Sequence, residues 1–284
     1  MTEEIGFNMY DFTYGNITSI KKDPEKFLLF VKHLLPRFLN SVPDSICLNI
    51  FASLKKLRKI KKKNLIILET GCGASTLALF LHCAINGGRL FSWDTNQTKG
   101  SLVRSVINES ISRLLNVNVN NIWTFIGTSS TSPFTGIGIL KELSLKADYC
   151  FLDSAHNMEH LLSELKQIDN ICSKNFFIAL DDVYTNQAKY NYPYINMVRN
   201  KIGLKEIKSK KENISKTFFE EVTNFYKRKN YNLKLIKNEI KGKKISKDIY
   251  LDYYNSDFNF MKKVGLVKNP QQRFAIFNIN KKNK

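Results

Sequence analysis

Four side chains able to do acid–base or metal chemistry sit in two short segments, each at the end of an apolar run. One segment is Phe151-Leu152-Asp153-Ser154-Ala155-His156, and the other is Leu180-Asp181-Asp182. Carboxylates gathered away from water repel one another unless a cation balances them. A hard divalent ion such as Mg²⁺ takes oxygen ligands of this kind and keeps positions for water or substrate oxygens. A histidine is partly neutral near pH 7 and can accept a proton. Plainer uses stand beside these. An aspartate at a strand end also serves to hold a turn amide, and a histidine after such a turn also serves as a helix-start residue.

A third segment, Glu69-Thr70-Gly71-Cys72-Gly73-Ala74-Ser75-Thr76, has the composition of a ligand-binding turn. Glycines at 71 and 73 permit a tight turn and a close approach of backbone to ligand. A helix starting there presents N–H groups to a polar ligand. Asp94 ends the following apolar run, where a carboxylate can accept bonds from both hydroxyls of a ribose. A dinucleotide fingerprint wants a third glycine where this chain has Thr76, which counts against a dehydrogenase.

These residues need strands and helices to position them. Asp23-Pro24 begins a helix with Phe27, Leu28, Val31, Leu34 and Leu35 on one face, and a second helix is expected over Asp44–Ile60. Strands are expected at Asn64–Glu69, Leu90–Asp94, Ile122–Gly127, Asp148–Asp153 and Asn175–Asp181, as short runs buried on both faces. Helices fall between them at Ser75–Asn86, Gly100–Leu115 and around Met158–Ile168. Such alternation calls for a parallel sheet with right-handed crossovers. After a helix near Lys216–Lys229, Tyr231–Ile240 and Arg273–Ile279 read as two late strands forming an antiparallel pair at the sheet edge. Residues 1–23 lack periodicity and are expected to be an arm. Residues 1–63 are read as an arm and helices belonging to the same domain as 64–284, with insertions near 184–215 and 241–270.

The acid before Gly-x-Gly, the strand–turn–helix context and Asp94 in register resemble the first motif of class I S-adenosylmethionine-dependent methyltransferases. The resemblance covers residues 64–185 most closely. It implies an α/β Rossmann-like fold, with a seven-stranded, mostly parallel sheet, a late antiparallel strand, helices on both faces and an N-terminal helical extension. It also implies S-adenosylmethionine as cofactor, held by Glu69, Gly71, Gly73, Ser75, Thr76, Asp94, Ser129 and Asp153. Ser129 follows the third strand, where family members contact adenine, but the usual acid is missing there. The aspartate and histidine set is similar to metal-dependent bacterial O-methyltransferases acting on sugars and small molecules. By that resemblance Asp153, Asp181 and Asp182 are Mg²⁺ ligands, and His156, with Asp153, is catalytic as the base. His160, one helical turn on, is expected to be a solvated helix residue. His33 and His82 are expected to be structural.

Composition narrows the class. The formal charge is +19, carried almost wholly by lysine, with a dense run at Lys55–Lys63. This invites a nucleic-acid reading, but the lysines are spread along an asparagine-rich chain and the run looks like the solvated end of a helix. No Asn/Asp-Pro-Pro-aromatic turn follows the fourth strand and no Pro-Cys occurs, which disfavours adenine amino and cytosine C5 methylation. With the aspartate cluster and the resemblance it carries, these absences make a hydroxyl of a small molecule or sugar the expected acceptor. An RNA-binding or RNA-methylating protein using Lys55–Lys63 and Lys281–Lys284 is the alternative, with a non-catalytic ligand-binding member of the fold as a third reading. The five cysteines are scattered with no Cys-x-x-Cys, which fits a cytoplasmic setting. No apolar run reaches the roughly 20 residues of a membrane span. The sequence is compatible with a homo-oligomer. The aromatic-rich stretches 184–200 and 249–261 are read either as a substrate lid or as packing of edge insertions.

Overall fold

The computed structural model describes residues 17–155, 157–181, 183, 200, 203, 205, 217–236 and 274–282. Its chain opens with α1 (Ile17–Lys22), α2 (Pro24–Lys32) and α3 (Asp44–Lys61). The end of the expected arm is thus helical, and Ile20 is buried. A helix of six residues is too short to show an apolar period, so sequence patterning misses it. Asp23 caps α2 as expected, its carboxylate accepting the Lys26 amide at 3.1 Å.

The alternating part follows: β1 (Leu65–Thr70), α4 (Ala74–Asn86), β2 (Gly88–Trp93), α5 (Gln97–Ile107), α6 (Val119–Ile122), β3 (Trp123–Ile126), α7 (Ile139–Glu142), β4 (Ala147–Leu152), α8 (Met158–Ile171) and β5 (Cys172–Leu180). Then come α9 (Phe218–Arg228), β6 (Asn232–Ile236) and β7 (Ala275–Asn280). The single helix expected over Gly100–Leu115 is interrupted. After α5 the chain loosens into a π-helical turn at Asn108–Ser112 before a last helical turn at Arg113–Leu115. Ser110 donates to the Val106 carbonyl there and Ser112 to that of Val117. Hydroxyls that bond backbone in this way compete with the regular helix ladder.

The sheet has seven strands in the order β3-β2-β1-β4-β5-β7-β6. The first five are parallel, and β7 runs antiparallel to both β5 and β6. The two late strands form the expected antiparallel pair, with the last strand placed inside and β6 left at the edge. Composition accounts for this: Ala275-Ile276-Phe277 is buried, whereas Asn232, Lys234 and Leu235 of β6 are exposed. One face of the sheet packs against α8 and α9 through Leu165, Ile168, Val222 and Tyr226. The other packs against α2, α3, α4 and α5 in one continuous core that runs from Ile20 to Ile276.

The N-terminal helices are fixed by more than apolar contact. Lys32 of α2 is fully buried, its ammonium 2.7 Å from Asp44 Oδ1 at the start of α3 and donating to the Asn40 side chain. His33 Nε2 lies 3.2 Å from the other Asp44 oxygen. Burial works against the Asp44 charge, but the bonds from His33 and Lys32 prevail and lower its pKa. Asp44→Ala withdraws a carboxylate from a buried ammonium, and is expected to destabilise the protein by about 3 kcal/mol. Urea denaturation checks this; a loss below about 0.5 kcal/mol, the range of ordinary surface substitutions, would contradict it.

Candidate functional site

In an open α/β sheet, ligands bind beyond the carboxyl ends of the strands where the strand order reverses. Here that point lies between β1 and β4. Each central strand is extended by one more ladder bond at this end. The Gly71 amide bonds the Trp93 carbonyl at 2.8 Å, Asp153 N bonds Thr70 O at 2.8 Å, Asp94 N bonds Ile126 O at 3.3 Å, and Asp181 N bonds Leu152 O at 3.2 Å. Asp94, Gly71, Asp153 and Asp181 therefore stand in a row along one rim, at the ends of β2, β1, β4 and β5.

The glycine turn is held from beneath by Glu69. This side chain has no accessible surface, and its carboxylate accepts three hydroxyls: Ser75 at 2.6 Å, Thr76 at 2.8 Å and Ser92 at 2.6 Å. Ser92 in turn accepts the indole N–H of Trp123 at 2.9 Å. Thr76 Oγ1 also accepts the Gly73 amide at 3.0 Å. Burial pushes the Glu69 pKa up to about 7 against the pull of the Ser75, Ser92 and Thr76 hydroxyls. Glu69, Ser75 and Thr76, named above as cofactor-binding, are all buried. They shape the turn from inside, because their polar atoms are already spent on one another. Ser92 and Trp123 belong to the same network, and no local pattern in the sequence marks them.

The two glycines differ. Gly71 has φ +87°, and a Cβ on it would lie 2.1 Å from the Asp153 carbonyl oxygen. Its lack of a side chain is required by the backbone contact between the β1 turn and the end of β4. Gly73 is extended, and a Cβ there would come within 3.1 Å of the Leu39 carbonyl, in the segment joining α2 to α3. The N-terminal helices thus reach the turn itself, and Cys47 of α3 adds a bond from its thiol to the Ala74 carbonyl at 3.7 Å.

Asp94 is aimed by backbone. Its Oδ2 accepts the Cys72 amide at 3.0 Å and its Oδ1 the Asn96 amide at 2.8 Å, while Lys99 Nζ stands 3.5 Å away. Its side chain keeps 10% exposure. A carboxylate offers about four lone-pair sites, so capacity remains for the two hydroxyls of a ribose. The amides of residues 71, 72 and 73 are all taken by protein partners, which limits how much of this turn's backbone can serve a ligand. Ser129 Oγ lies 3.0 Å from Thr131 Oγ1 and accepts the Thr131 amide at 3.3 Å, within its own loop. Trp93 is 1% exposed and ties β2 to that loop through the Thr135 carbonyl at 2.8 Å.

Of the acid and base set, Asp153 and Asp181 are on the rim of neighbouring strands, with Asp181 buried. His156 and Asp182 lie outside the described residues, as do 249–261 and all of 184–200 except Asn200. Among the described residues no group of three His, Cys, Asp or Glu side chains is gathered to hold a metal. His160, expected to be solvated, is instead 17% exposed and bonded into the protein. His82 is fully buried and its pKa is pushed down to about 4 by burial and by Arg58 and Lys55.

The lysine run does not serve this rim. It leads into the amino end of β1, and a strand of six residues puts it roughly 20 Å from the glycine turn at about 3.3 Å per residue. Lys61 and Lys63 pair with the buried Asp148 at 3.2 and 2.9 Å, and Lys55 pairs with Glu25 at 2.9 Å. Lys281 donates to the Asp169 and Cys172 carbonyls at 2.6 and 3.0 Å, at the end of α8. All five cysteines are free and buried, and no described helix is long and apolar enough to cross a membrane.

Residues 68–183 match a family model described as a methyltransferase domain. The topology above is that of a Rossmann-like α/β fold. No curated protein sequence matches the chain. Among solved structures, it is similar to an SAH-bound methyltransferase of Podospora anserina, at 14% identity and TM-score 0.50, over 91% of this chain and 87% of that one. An O-methyltransferase of Bacillus cereus in complex with SAH matches at 12% identity and TM-score 0.46, over 91% and 90%. A ribosomal protein L11 methylase of Lactobacillus delbrueckii matches at 10% identity and TM-score 0.42, over 85% and 81%. At 14% identity the first likeness is one of fold.

Two outcomes follow from the turn. Gly71→Ala is expected to cost at least about 3 kcal/mol, through its backbone clash and positive φ, while Gly73→Ala costs about 1 kcal/mol. Equal losses in urea denaturation would contradict this packing account. For Glu69, the unfolded chain releases its proton near the ordinary value of 4.5, whereas the folded protein keeps it until about 7. Stability should therefore fall as pH rises through that window, by up to about 1.4 kcal/mol per unit. Glu69→Gln should remove this part of the pH dependence, measured as the difference between the two proteins from about pH 3.5 to about pH 8, roughly one unit beyond the window on each side.

Proposed function

We propose that this protein is a methyltransferase that uses S-adenosylmethionine to methylate a hydroxyl group of a small molecule or sugar, with help from a divalent metal. The observation that carries the cofactor reading is Asp94, aimed across the rim by the Cys72 and Asn96 amides and retaining free acceptor capacity beside the glycine turn. A ribose diol fits such a carboxylate. The methionine end of the same ligand would then lie over the turn that Glu69 supports, and its sulfonium would face the gap between β1 and β4.

On the acceptor side, Asp153 and Asp181 are hard oxygen donors at neighbouring strand ends, which agrees in kind with Mg²⁺. Together with Asp182 they would hold the ion, whose charge makes a nearby hydroxyl more acidic. His156 would take the hydroxyl proton as the oxygen attacks the methyl carbon and the C–S bond breaks. The protein's main contribution is to hold acceptor oxygen, methyl group and sulfur in line. The hydroxyl acceptor is favoured over nucleic acid because the lysine run lies at the far end of β1 and three of its charges are paired with Asp148 and Glu25.

Calorimetric titration of the full chain with S-adenosylmethionine tests this reading, with Mg²⁺ and again with chelator. Wild type is expected to bind, and Asp94→Ala to bind at least about tenfold more weakly, the loss expected for charged hydrogen bonds. Asp182→Ala should abolish any enhancement by Mg²⁺ while leaving binding in chelator nearly unchanged. Absence of binding in wild type would overturn the cofactor assignment. Binding indifferent to Mg²⁺, followed by turnover of a sugar acceptor in chelator, would overturn the metal assignment.

A further inference from the structure

Outside the rim row, one buried polar cluster joins three elements. Ser130 belongs to the loop after β3, Ser154 to the loop after β4, and His160 and Glu164 lie one turn apart on α8. Glu164 is 1% exposed and Ser130 4%. A single oxygen, Glu164 Oε1, accepts from Ser130 Oγ at 2.5 Å and from Ser154 Oγ at 2.9 Å. His160 Nε2 stands 3.2 Å from that same oxygen and 2.9 Å from Ser130 Oγ. The bond to Glu164 raises the His160 pKa against the effect of burial. The His160 amide is itself fixed by the Asn157 cap at 2.8 Å.

The two loops joined here have different duties. A ligand whose ribose rests on Asp94 of β2 and whose tail crosses the β1 turn must send its base toward β3, since the order is β3-β2-β1-β4. The loop after β3 therefore borders the base. The loop after β4 begins with Asp153 and borders the acceptor.

We propose that Glu164 is a positioning residue that ties the base-side loop to the acceptor-side loop, so that the two halves of the site are held in one register. This rests on the methyltransferase reading for its purpose, but its geometry stands independently. The post-β3 loop has two further anchors, Trp93 to the Thr135 carbonyl and the Gly138 amide to Gln167 of α8 at 3.1 Å, and neither reaches the post-β4 loop. The Glu164 cluster spans both. A buried carboxylate robbed of its donors is costly, so breaking one link should loosen that link's loop more than the fold.

The test uses the full chain and two readouts, hydrogen–deuterium exchange of peptides covering 127–138 and 150–155, and calorimetric binding of S-adenosylmethionine. Ser130→Ala should raise exchange in 127–138 alone, Ser154→Ala in 150–155 alone, and Glu164→Ala in both. Glu164→Gln, which keeps an acceptor oxygen, should stay near wild type. Glu164→Ala should also weaken S-adenosylmethionine binding about tenfold, the loss of a charge-assisted bond, with Glu164→Gln restoring most of it. Unchanged exchange in both loops of a folded Glu164→Ala would overturn the proposal. Should that variant not fold, serine variants that each loosen both loops or neither would overturn it. If wild type binds no S-adenosylmethionine yet the exchange pattern holds, the tie stands and the cofactor reading fails.

Discussion

The geometry of the rim depends on one buried carboxylate. Glu69 sits at the end of β1 with no contact with water, and three hydroxyls from two elements converge on it. Ser75 and Thr76 bring the first turn of α4 down onto β1, and Ser92 brings β2 alongside. Because the group is buried, each missing hydroxyl would leave a polar atom without compensation. The network therefore sets the angle at which α4 leaves the strand, and with it the place of the glycine turn. Desolvation holds the Glu69 pKa near 7 despite those donors. The arrangement is thus a compromise between burial and hydrogen bonding, in which shape is gained at some cost in stability.

From that anchor the rim follows by backbone alone. Cys72, one residue beyond Gly71, gives its amide to Asp94, so the position of the turn dictates the aim of the acid on the next strand. Gly71 presses against the Asp153 carbonyl, so the same turn also registers β1 against β4. A displacement of this turn would be felt at both ends of the proposed cofactor. The N-terminal helices close the arrangement from above, with the Leu39 carbonyl over Gly73 and the Cys47 thiol on Ala74. They are part of the site's architecture, and the buried Lys32–Asp44 pair is what keeps them there.

The positive charge of the chain has another destination. Lys61 and Lys63 neutralise Asp148, which β4 carries fully buried beneath the sheet, and Lys281 caps the end of α8. These lysines do local electrostatic work at the amino ends of the strands. A basic run read in isolation looks like a binding surface, whereas here part of it is committed to the fold.

Sequence pattern revealed the elements whose signal is local. Five apolar runs with helices between them determined a parallel α/β sheet, and Asp23-Pro24 determined the start of α2. The Glu-x-Gly-x-Gly turn and Asp94 stood out because their spacing is short and their residue types are restrictive. Other features were decided by long-range contacts. Whether β7 or β6 lay inside depended on burial against β5, and the π turn after α5 depended on where Ser110 and Ser112 found carbonyls. Ser92, Ser130 and Glu164 carry no local signature, since a serine or a helical glutamate is commonplace in any sequence. The sequence by itself determined which segments become strands, helices and a ligand-sized turn, because those follow from periodicity and backbone freedom. Only the tertiary structure decided which hydroxyl meets which carboxylate, because that follows from strand order and register, and these bring together residues far apart in the chain.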